Sequence, residues 1–513
     1  MPVALSKEVI RIETTIAEQV AQRIPGSVTW ADAVDIPWTQ TNAELCASMG
    51  VTPVSPILRD YAWPGSFHPM PHQLQAANAM ASNKRFYNLS EMGTGKSAAA
   101  VWAAHYLKSI GAVRKVLIIS PLSIMQETWG DSIRKIDVTT HYSILHHKNA
   151  SKRRQMMVHG AEWWIINYDG IKILQKDLAV VHDLDLIIID EARSYAEPST
   201  ERWKALKSLI RWDTRVWALT GTPAPHSPMD VYGQVKLLTP ENLPKTKGAF
   251  RDMVERQVST YSWVTRPEAW EVISRVMRPA IKTLKRDVLK DLPPVTKTYR
   301  YVPLTQQQQA YYDEMRREDR ALAGGRKITA VHAAARQIKL LQLSSGAVYD
   351  DERVALELDV KPRINEMLEL IEQSTSATIV FAPFRHTVKL LEPWLKPLGF
   401  EVMTGDTSVP KRAQIIAALQ AGQIKGILAI PSVMSHGITA TAASTMIWFA
   451  PPDKSEIYIQ ACNRMDRPGQ KHAMTIAHLY GSPAERAMYQ SLQVQGAGQT
   501  EMLSWYESYI KGE

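Results

Sequence analysis

Two sets of short, unbroken apolar runs, separated by segments of helical pattern, constrain the fold of this chain more than any other feature. The first set is Phe86 to Leu89, Val116 to Ile119, Trp164 to Ile166, Leu184 to Ile189 and Val216 to Leu219. A second set follows at Thr378 to Phe381, Val402-Met403, Ile427 to Ile430, Met446 to Phe449 and Ile476 to Leu479. A strand with one wet face alternates apolar and polar residues, whereas a continuous run is buried on both faces, as in a parallel sheet covered by crossover helices. The expected fold class is therefore α/β, with two parallel sheets of similar size. With 45% hydrophobic residues, the chain can build a core for each.

Between the two sets, residues 240–283 read as a mostly helical, charged insertion, and Pro293-Pro294 marks a hinge region. A second helical insertion is expected over about 306–345, interrupted by Gly324-Gly325. Residues 1–65 form a separate small element, in which Val9, Ile10, Ile12, Ile16, Val20 and Ile24 lie mostly at helical spacing before Pro25-Gly26. That spacing predicts a helix packed on the larger body. At the other end, Ser482-Pro483-Ala484-Glu485 is a capping box with proline at the first helical position, so 481–513 is expected to be helical. The predicted boundaries are thus 1–65, 66–290, 291–480 and 481–513.

Ligands of open parallel sheets gather beyond the carboxyl ends of the strands, and the polar clusters of this chain directly follow the apolar runs. After the first run comes Ser90-Glu91-Met92-Gly93-Thr94-Gly95-Lys96-Ser97, and then an alanine-rich helix former. Strand, glycine turn and helix make a phosphate cradle: backbone N–H groups approach the anion, the helix N-terminus adds its dipole, Lys96 reaches the terminal phosphates and Ser97 holds Mg²⁺. An ordinary glycine turn with an exposed lysine would read the same in isolation. Asp190-Glu191 end the run Leu186 to Ile189, which places one carboxylate for Mg²⁺ and one for the attacking water of nucleotide hydrolysis. Thr220-Gly221-Thr222-Pro223 puts two hydroxyls on a tight turn after a strand. Far downstream, Gln460 to Gln470 carries Arg464 and Arg467, whose spacing would set both guanidinium groups on one face of a helix, suited to phosphate.

Together these motifs resemble the superfamily two helicases, and within them the Swi/Snf-like branch of double-stranded DNA translocases, most like compact phage or prophage members. The resemblance covers roughly residues 66 to 495. It rests on Glu91 to Ser97, Ile189 to Arg193, Leu219 to Pro223, Leu284 to Val288 with Leu292-Pro293, and the Arg-x-x-Arg-x-Gly-Gln ending at Gln470. It implies two RecA-like lobes, 66–290 and 291–480, and ATP with Mg²⁺ as cofactors. It further implies that Gln73 recognises adenine, that Met92, Gly93, Thr94, Gly95, Lys96, Ser97 and Gly437 line the nucleotide, and that Arg464 and Arg467 complete the ATP site. Pro121-Leu122-Ser123, Asn167-Tyr168 and Ser435-His436 match segments that grip the sugar-phosphate backbone or link it to that site. Several positions depart from the branch: Arg193 stands where a histidine is usual, Ser90 where glycine or alanine is, Met70 where an arginine is frequent, and Thr439 where an asparagine is common. These departures bear on coupling more than on hydrolysis.

A net charge of +9 suits a polyanionic partner, though charge alone leaves the partner open. Cys46 and Cys462 are too few for a disulfide framework or a cysteine-built zinc module and fit a reducing compartment. With no signal-peptide core in Met1 to Val20 and no run of membrane-spanning length, a cytoplasmic protein is expected, in the host cytoplasm if phage-encoded. The function these observations imply is an ATP-dependent motor on double-stranded or branched DNA, without a membrane partner. Two other readings stay open: a helicase that separates DNA or RNA strands, and a nucleic-acid-binding scaffold with a vestigial ATP site.

Overall fold

The computed structural model describes residues 3–4, 9–50, 55–158, 160–225, 227–259, 262–323, 330–349, 355–434 and 439–492. The chain divides into two compact units that part between Val288 and Leu289. No helix among the described residues is long and apolar enough to cross a membrane.

The first unit begins with a small four-stranded antiparallel sheet instead of the expected helix. Its strands are β1 (Val3–Ala4), β2 (Val9–Glu13), β3 (Val28–Thr29) and β4 (Ala33–Pro37), in the order β1-β2-β4-β3. Among the described residues of 1–65, Ala17–Arg23, Gln40–Ser48 and the short Ile57–Asp60 are helical. The β-branched Ile12 pairs with Val34 across the ladder, and both are buried. Arg11, one residue away on the opposite face, forms a two-pronged ion pair with Asp35 at 2.8 Å. Period two wins over residues 9–13, and the four-residue spacing of Ile16, Val20 and Ile24 belongs to the following helix. This module is joined to the main body through Gln40, which donates to the Ala81 carbonyl at 2.7 Å, and through an ion pair between Glu44 and the buried Arg215.

The main sheet of the unit is built from β5 (Arg85–Asn88), β6 (Lys115–Ser120), β7 (Tyr142–Ile144), β8 (Trp163–Asn167), β9 (Leu184–Asp190) and β10 (Arg215–Leu219). A separate antiparallel hairpin of β11 (Glu255–Ser259) and β12 (Ser262–Thr265) follows, and then the short edge strand β13 (Ala280–Ile281). The seven main-sheet strands are parallel, in the order β13-β5-β10-β9-β6-β8-β7. Each apolar run divides by parity. Leu117, Ile119, Trp164, Ile166, Ile187, Ile189 and Ala218 enter the core on one face, while Val116, Ile118, Trp163, Ile165, Leu186, Ile188 and Trp217 enter the core on the other. Both faces are therefore dry, which is why the runs carry no polar alternation. The hairpin lies inside the stretch expected to be helical; among its described residues the α-helices are Lys247–Val254 and Ala269–Val276. From β11, Arg256, Gln257 and Val258 are exposed, so polarity on both faces left no strand signal to read.

In the second unit, β14 (Val295–Tyr301) leads to helices at Gln306–Ala323 and Ala330–Ser344 and to a small antiparallel pair, β15 (Ala347–Tyr349) with β16 (Ala355–Glu357). Then come β17 (Ala377–Phe381), β18 (Phe400–Met403), β19 (Gly426–Ala429), β20 (Ala443–Trp448) and β21 (Met474–Tyr480). The six-stranded parallel sheet has the order β14-β21-β20-β17-β19-β18. Its two faces again hold separate cores, around Phe381 and Trp448 on one side and Ile447 and Phe449 on the other.

The capping box at Ser482 forms as the sequence predicts: Glu485 N donates to Ser482 Oγ, and Ser482 N donates to Glu485 Oε2, both at 3.2 Å, and 483–492 are helical. Glu485 also carries a second role that the motif does not reveal. Its carboxylate receives both prongs of the Arg363 guanidinium, at 2.7 and 2.8 Å, with both residues buried. Replacing Glu485 by alanine strands the guanidinium in the interior and is expected to destabilise the second unit by about 3–5 kcal/mol. Denaturant unfolding that follows this unit checks the value, and a loss below about 1 kcal/mol would show that the pair is solvated in practice.

Candidate functional site

Strand register brings the first three motifs together. β10 lies between β5 and β9, with Leu219 opposite Asn88 on one side and Asp190 on the other. Residues 89–97, 190–191 and 220–222 therefore leave the sheet side by side. Gly93 and Gly95 both adopt left-handed backbone, φ 84°, and Lys96 starts the helix Lys96–Ser109. Within the turn the Lys96 ammonium donates to the carbonyls of Ser90, at 2.7 Å, and Glu91, at 3.0 Å, while Thr94 Oγ1 donates to the Glu91 carbonyl at 2.8 Å.

The helix Pro71–Ser82 closes over this turn. Gln73 accepts from Met70 N at 3.0 Å and donates to the Thr94 carbonyl at 3.2 Å, and His72 Nε2 donates to the same carbonyl at 2.8 Å. A side chain at Gly95 would collide with the Gln73 carboxamide, so the glycine is needed twice, for its backbone angle and for its bareness. Gly221 is similarly confined: a Cβ there would stand 3.3 Å from the Ser90 carbonyl oxygen and 3.4 Å from Met92 N. Behind it the buried Gln234 donates to the Pro223 carbonyl at 2.8 Å and to the Asp230 carbonyl at 2.9 Å, anchoring the 220–223 turn from below.

Asp190 is buried at the end of β9. Its Oδ2 accepts the indole N–H of Trp129 at 2.9 Å and its Oδ1 accepts Glu191 N at 3.0 Å. Burial raises the carboxyl above its ordinary pKa, while the Trp129 N–H, the Lys96 charge and the Glu191 N–H pull it back. Glu191 has left-handed backbone at φ 47°, uncommon for a residue with a side chain, and it heads the 3₁₀ turn Ala192–Tyr195. Arg193, in place of the usual histidine, is half-buried; desolvation lowers its pKa against the opposing charges of Asp230 and Glu191.

The two strand-end segments expected near a nucleic-acid backbone are neighbours, since Ser120 pairs with Asn167 at the ends of β6 and β8. Pro121 is buried and Leu122 exposed, in the 3₁₀ turn Leu122–Ile124 that includes Ser123. Tyr168 donates its hydroxyl to the Asp190 carbonyl at 3.0 Å, and Asn167 accepts from Arg153 at 3.4 Å. Glu91 adds a contact not foreseen, accepting Lys285 N at 2.7 Å and so tying the glycine turn to the Leu284–Val288 motif. Of the residues missed from sequence, Trp129 and His72 act through partners 61 and 22 residues away, whereas Gln234 bonds to carbonyls only 11 and 4 residues back.

In the second unit the arginine motif is not on one helix face. The helix Ser455–Cys462 stops at Cys462, and Arg464 and Arg467 lie on the turns after it. Asn463 caps the helix and Pro468-Gly469 cannot extend it. Each arginine bonds back by four residues: Arg464 Nε to the Gln460 carbonyl at 3.0 Å, and Arg467 Nε to the Asn463 carbonyl at 3.1 Å. Arg467 Nη1 also donates to Thr439 Oγ1 at 3.1 Å, and burial brings its pKa down to about 10, still charged at neutral pH. Gln470 is buried and holds the Ala443 and Met465 carbonyls, so it shapes the turn. Ser435, His436 and Gly437 lie outside the described residues.

A sequence model described as SNF2-related domain matches residues 72–350, and one described as helicase conserved C-terminal domain matches residues 362–469. Putative protein p41 of Acyrthosiphon pisum secondary endosymbiont phage 1 is 27% identical over 402 residues, which is 75% of this chain and 85% of p41. The SWI/SNF-related matrix-associated actin-dependent regulator of chromatin subfamily A-like protein 1 of Xenopus tropicalis is 23% identical over 444 residues, 80% of this chain but 42% of that protein. The Arabidopsis thaliana Protein CHROMATIN REMODELING 4 is 21% identical over 459 residues, 20% of its length. The chain thus spans most of p41 and less than half of these two eukaryotic relatives. Among solved structures, the Sulfolobus solfataricus SWI2/SNF2 ATPase core in complex with dsDNA aligns with a TM-score of 0.41 at 20% identity, covering 87% of this chain and 95% of that one.

Proposed function

Because the chain belongs to the SNF2-related family, whose model spans more than half of it, we propose that it is an ATP-dependent motor that tracks along double-stranded or branched DNA. Its lobes are 66–290 and 291–480, and its outputs are branch migration, strand annealing or displacement of bound proteins in the cytoplasm, that of the host if it is phage-encoded. The observation that supports this best is the register that gathers Lys96, Asp190 and Gly221 at the carboxyl end of one sheet.

Lys96 then turns from the Ser90 and Glu91 carbonyls to the terminal phosphates, Gln73 faces adenine, and the carboxylate of Glu191 takes the proton of the attacking water. The donor set suits Mg²⁺. Each oxygen of the buried Asp190 carboxylate accepts an N–H, opposite charge stands nearby on Lys96, and Ser97 lies in the first turn of the helix. Mg²⁺ is commonly held by one or two carboxylates together with substrate phosphates, so Asp190 and Ser97 would hold it. When bound, the ion neutralises charge on the phosphates during transfer. Arg464 and Arg467 stabilise the transferring phosphoryl group. Pro121 to Ser123, Asn167-Tyr168 and Ser435-His436 contact the DNA backbone.

An ATPase assay against duplex, forked, single-stranded and RNA cofactors tests the reading. Duplex or forked DNA is expected to stimulate hydrolysis with little dependence on sequence, because phosphate contacts position without reading bases. Raising salt from about 50 to 200 mM should weaken duplex affinity by roughly 10³-fold for a footprint of about six phosphates. Stimulation by single strands or RNA alone would point to a strand-separating helicase, and no stimulation by any of them would end the motor reading.

A further inference from the structure

The carboxylate expected to meet Mg²⁺ is held by a side chain that no motif assigns. Trp129 is fully buried, and its indole N–H donates to Asp190 Oδ2 at 2.9 Å. An indole has a donor and no acceptor, so it can only favour the ionised carboxylate. It stands opposite the Glu191 N–H on Oδ1, so the two donors fix the rotation of the group.

The backbone that delivers Trp129 is unusual. Met125–Gly130 forms a π-helical turn, set between the 3₁₀ turn Leu122–Ile124 and the α-helix Asp131–Ile136. Such turns are rare and recur at functional sites, since widening one turn changes the direction of every side chain after it. Tyr142 clamps this turn: its hydroxyl accepts from Gln126 Nε2 at 2.8 Å, and a Cβ on Gly130 would stand 2.7 Å from that oxygen.

We propose that Trp129 is a positioning residue for the metal site, setting the Asp190 carboxylate so that its remaining lone pairs are available to Mg²⁺ beside the nucleotide. The inference rests on the reading of Asp190 as the metal-side carboxylate. The π-helical turn is the device that carries the indole there, and it begins one residue beyond the Pro121 to Ser123 segment proposed to touch DNA.

The test uses the full chain, Mg²⁺ and a fluorescent ADP analogue, with no turnover required. In Trp129→Phe, the Mg²⁺ concentration that half-saturates tightening of analogue binding should rise at least about tenfold, in the range found when outer partners of metal ligands are removed. Affinity for the analogue in excess chelator should stay within about twofold. In an Asp190→Asn background the same substitution should add nothing further, because the two residues act as one unit. An unchanged Mg²⁺ requirement in Trp129→Phe, or an equal shift in both backgrounds, would overturn the proposal and leave Trp129 a packing residue. Should Trp129→Phe unfold, β-(3-benzothienyl)alanine at 129 keeps the bicyclic shape without the N–H, and the same shift is expected. A wild-type protein that binds the analogue with no response to Mg²⁺ would overturn this proposal together with the ATP-site reading, whereas a normal wild-type response and an unaltered variant removes Trp129 alone.

Discussion

Replacing Glu191 by glutamine is expected to leave ATP binding intact and to lower turnover by about 10²- to 10⁴-fold, the range lost with a general base. The substitution keeps the size of the side chain and the backbone N–H that donates to Asp190 Oδ1. It removes the capacity to take a proton from water, together with the negative charge that faces Arg193. The left-handed backbone of Glu191 supports this assignment, since such geometry at φ 47° costs free energy unless the surroundings impose it. Lys96→Ala should differ in kind, weakening ATP binding as well as hydrolysis. Equilibrium binding of a fluorescent ATP analogue and single-turnover hydrolysis on the two variants separate the effects. Wild-type turnover in Glu191→Gln would transfer the proton-accepting role to another residue.

The other large effect is expected at Arg467. If its guanidinium stabilises the transferring phosphoryl group, Arg467→Ala loses DNA-stimulated hydrolysis by on the order of 10³-fold or more, with DNA affinity largely retained. A merely structural arginine predicts about 1 kcal/mol or less of stability and near-normal turnover. Arg467 is the cleaner probe of the pair, because Arg464 is almost wholly buried and its loss also disturbs packing. Lysine at 467 should restore little, since an ammonium reproduces neither the paired bonds to the Asn463 carbonyl and Thr439 hydroxyl nor planar phosphate contact. Melting temperature, duplex affinity and ATPase rate measured on Arg467→Ala and Arg467→Lys decide the matter, and unimpaired stimulation in a folded variant would reject the role.

The central strands of both parallel sheets were legible because burial on two faces leaves an apolar run: Leu186 to Ile189 and Met446 to Phe449 carry the signal unaided, whereas the exposed edge strand Val295–Tyr301 carried none. The strand-end clusters were legible for the same reason, since each begins where an apolar run stops. What escaped was set by contacts between distant residues. In Val9–Glu13, five residues cannot display period two strongly beside the helical spacing of Ile16, Val20 and Ile24, and only pairing with Ala33–Pro37 decides the strand. The end of the helix at Cys462, past which the arginines bond back to the Gln460 and Asn463 carbonyls, shows only in the folded chain. Trp129 gives no local sign, because its acceptor lies 61 residues away across the sheet.

The shared register of β5, β10 and β9 also decides where the chain can change length. Deleting one residue within β10 would draw Thr220 back by about 3.3 Å and send Trp217 to the opposite core. At the amino ends of the strands no such restriction holds. Gly111, in the turn before β6, needs glycine for its left-handed backbone at φ 75° but faces open space, with nothing within 4 Å of where a Cβ would stand, so the turn has room to lengthen. Doubling such a connection costs only about 0.6 kcal/mol in closure entropy. Length variation and inserted tags are therefore absorbed on the amino-terminal rim, while on the opposite rim the spacing between Asn88 and Lys96 is as much a part of the machine as the residues themselves.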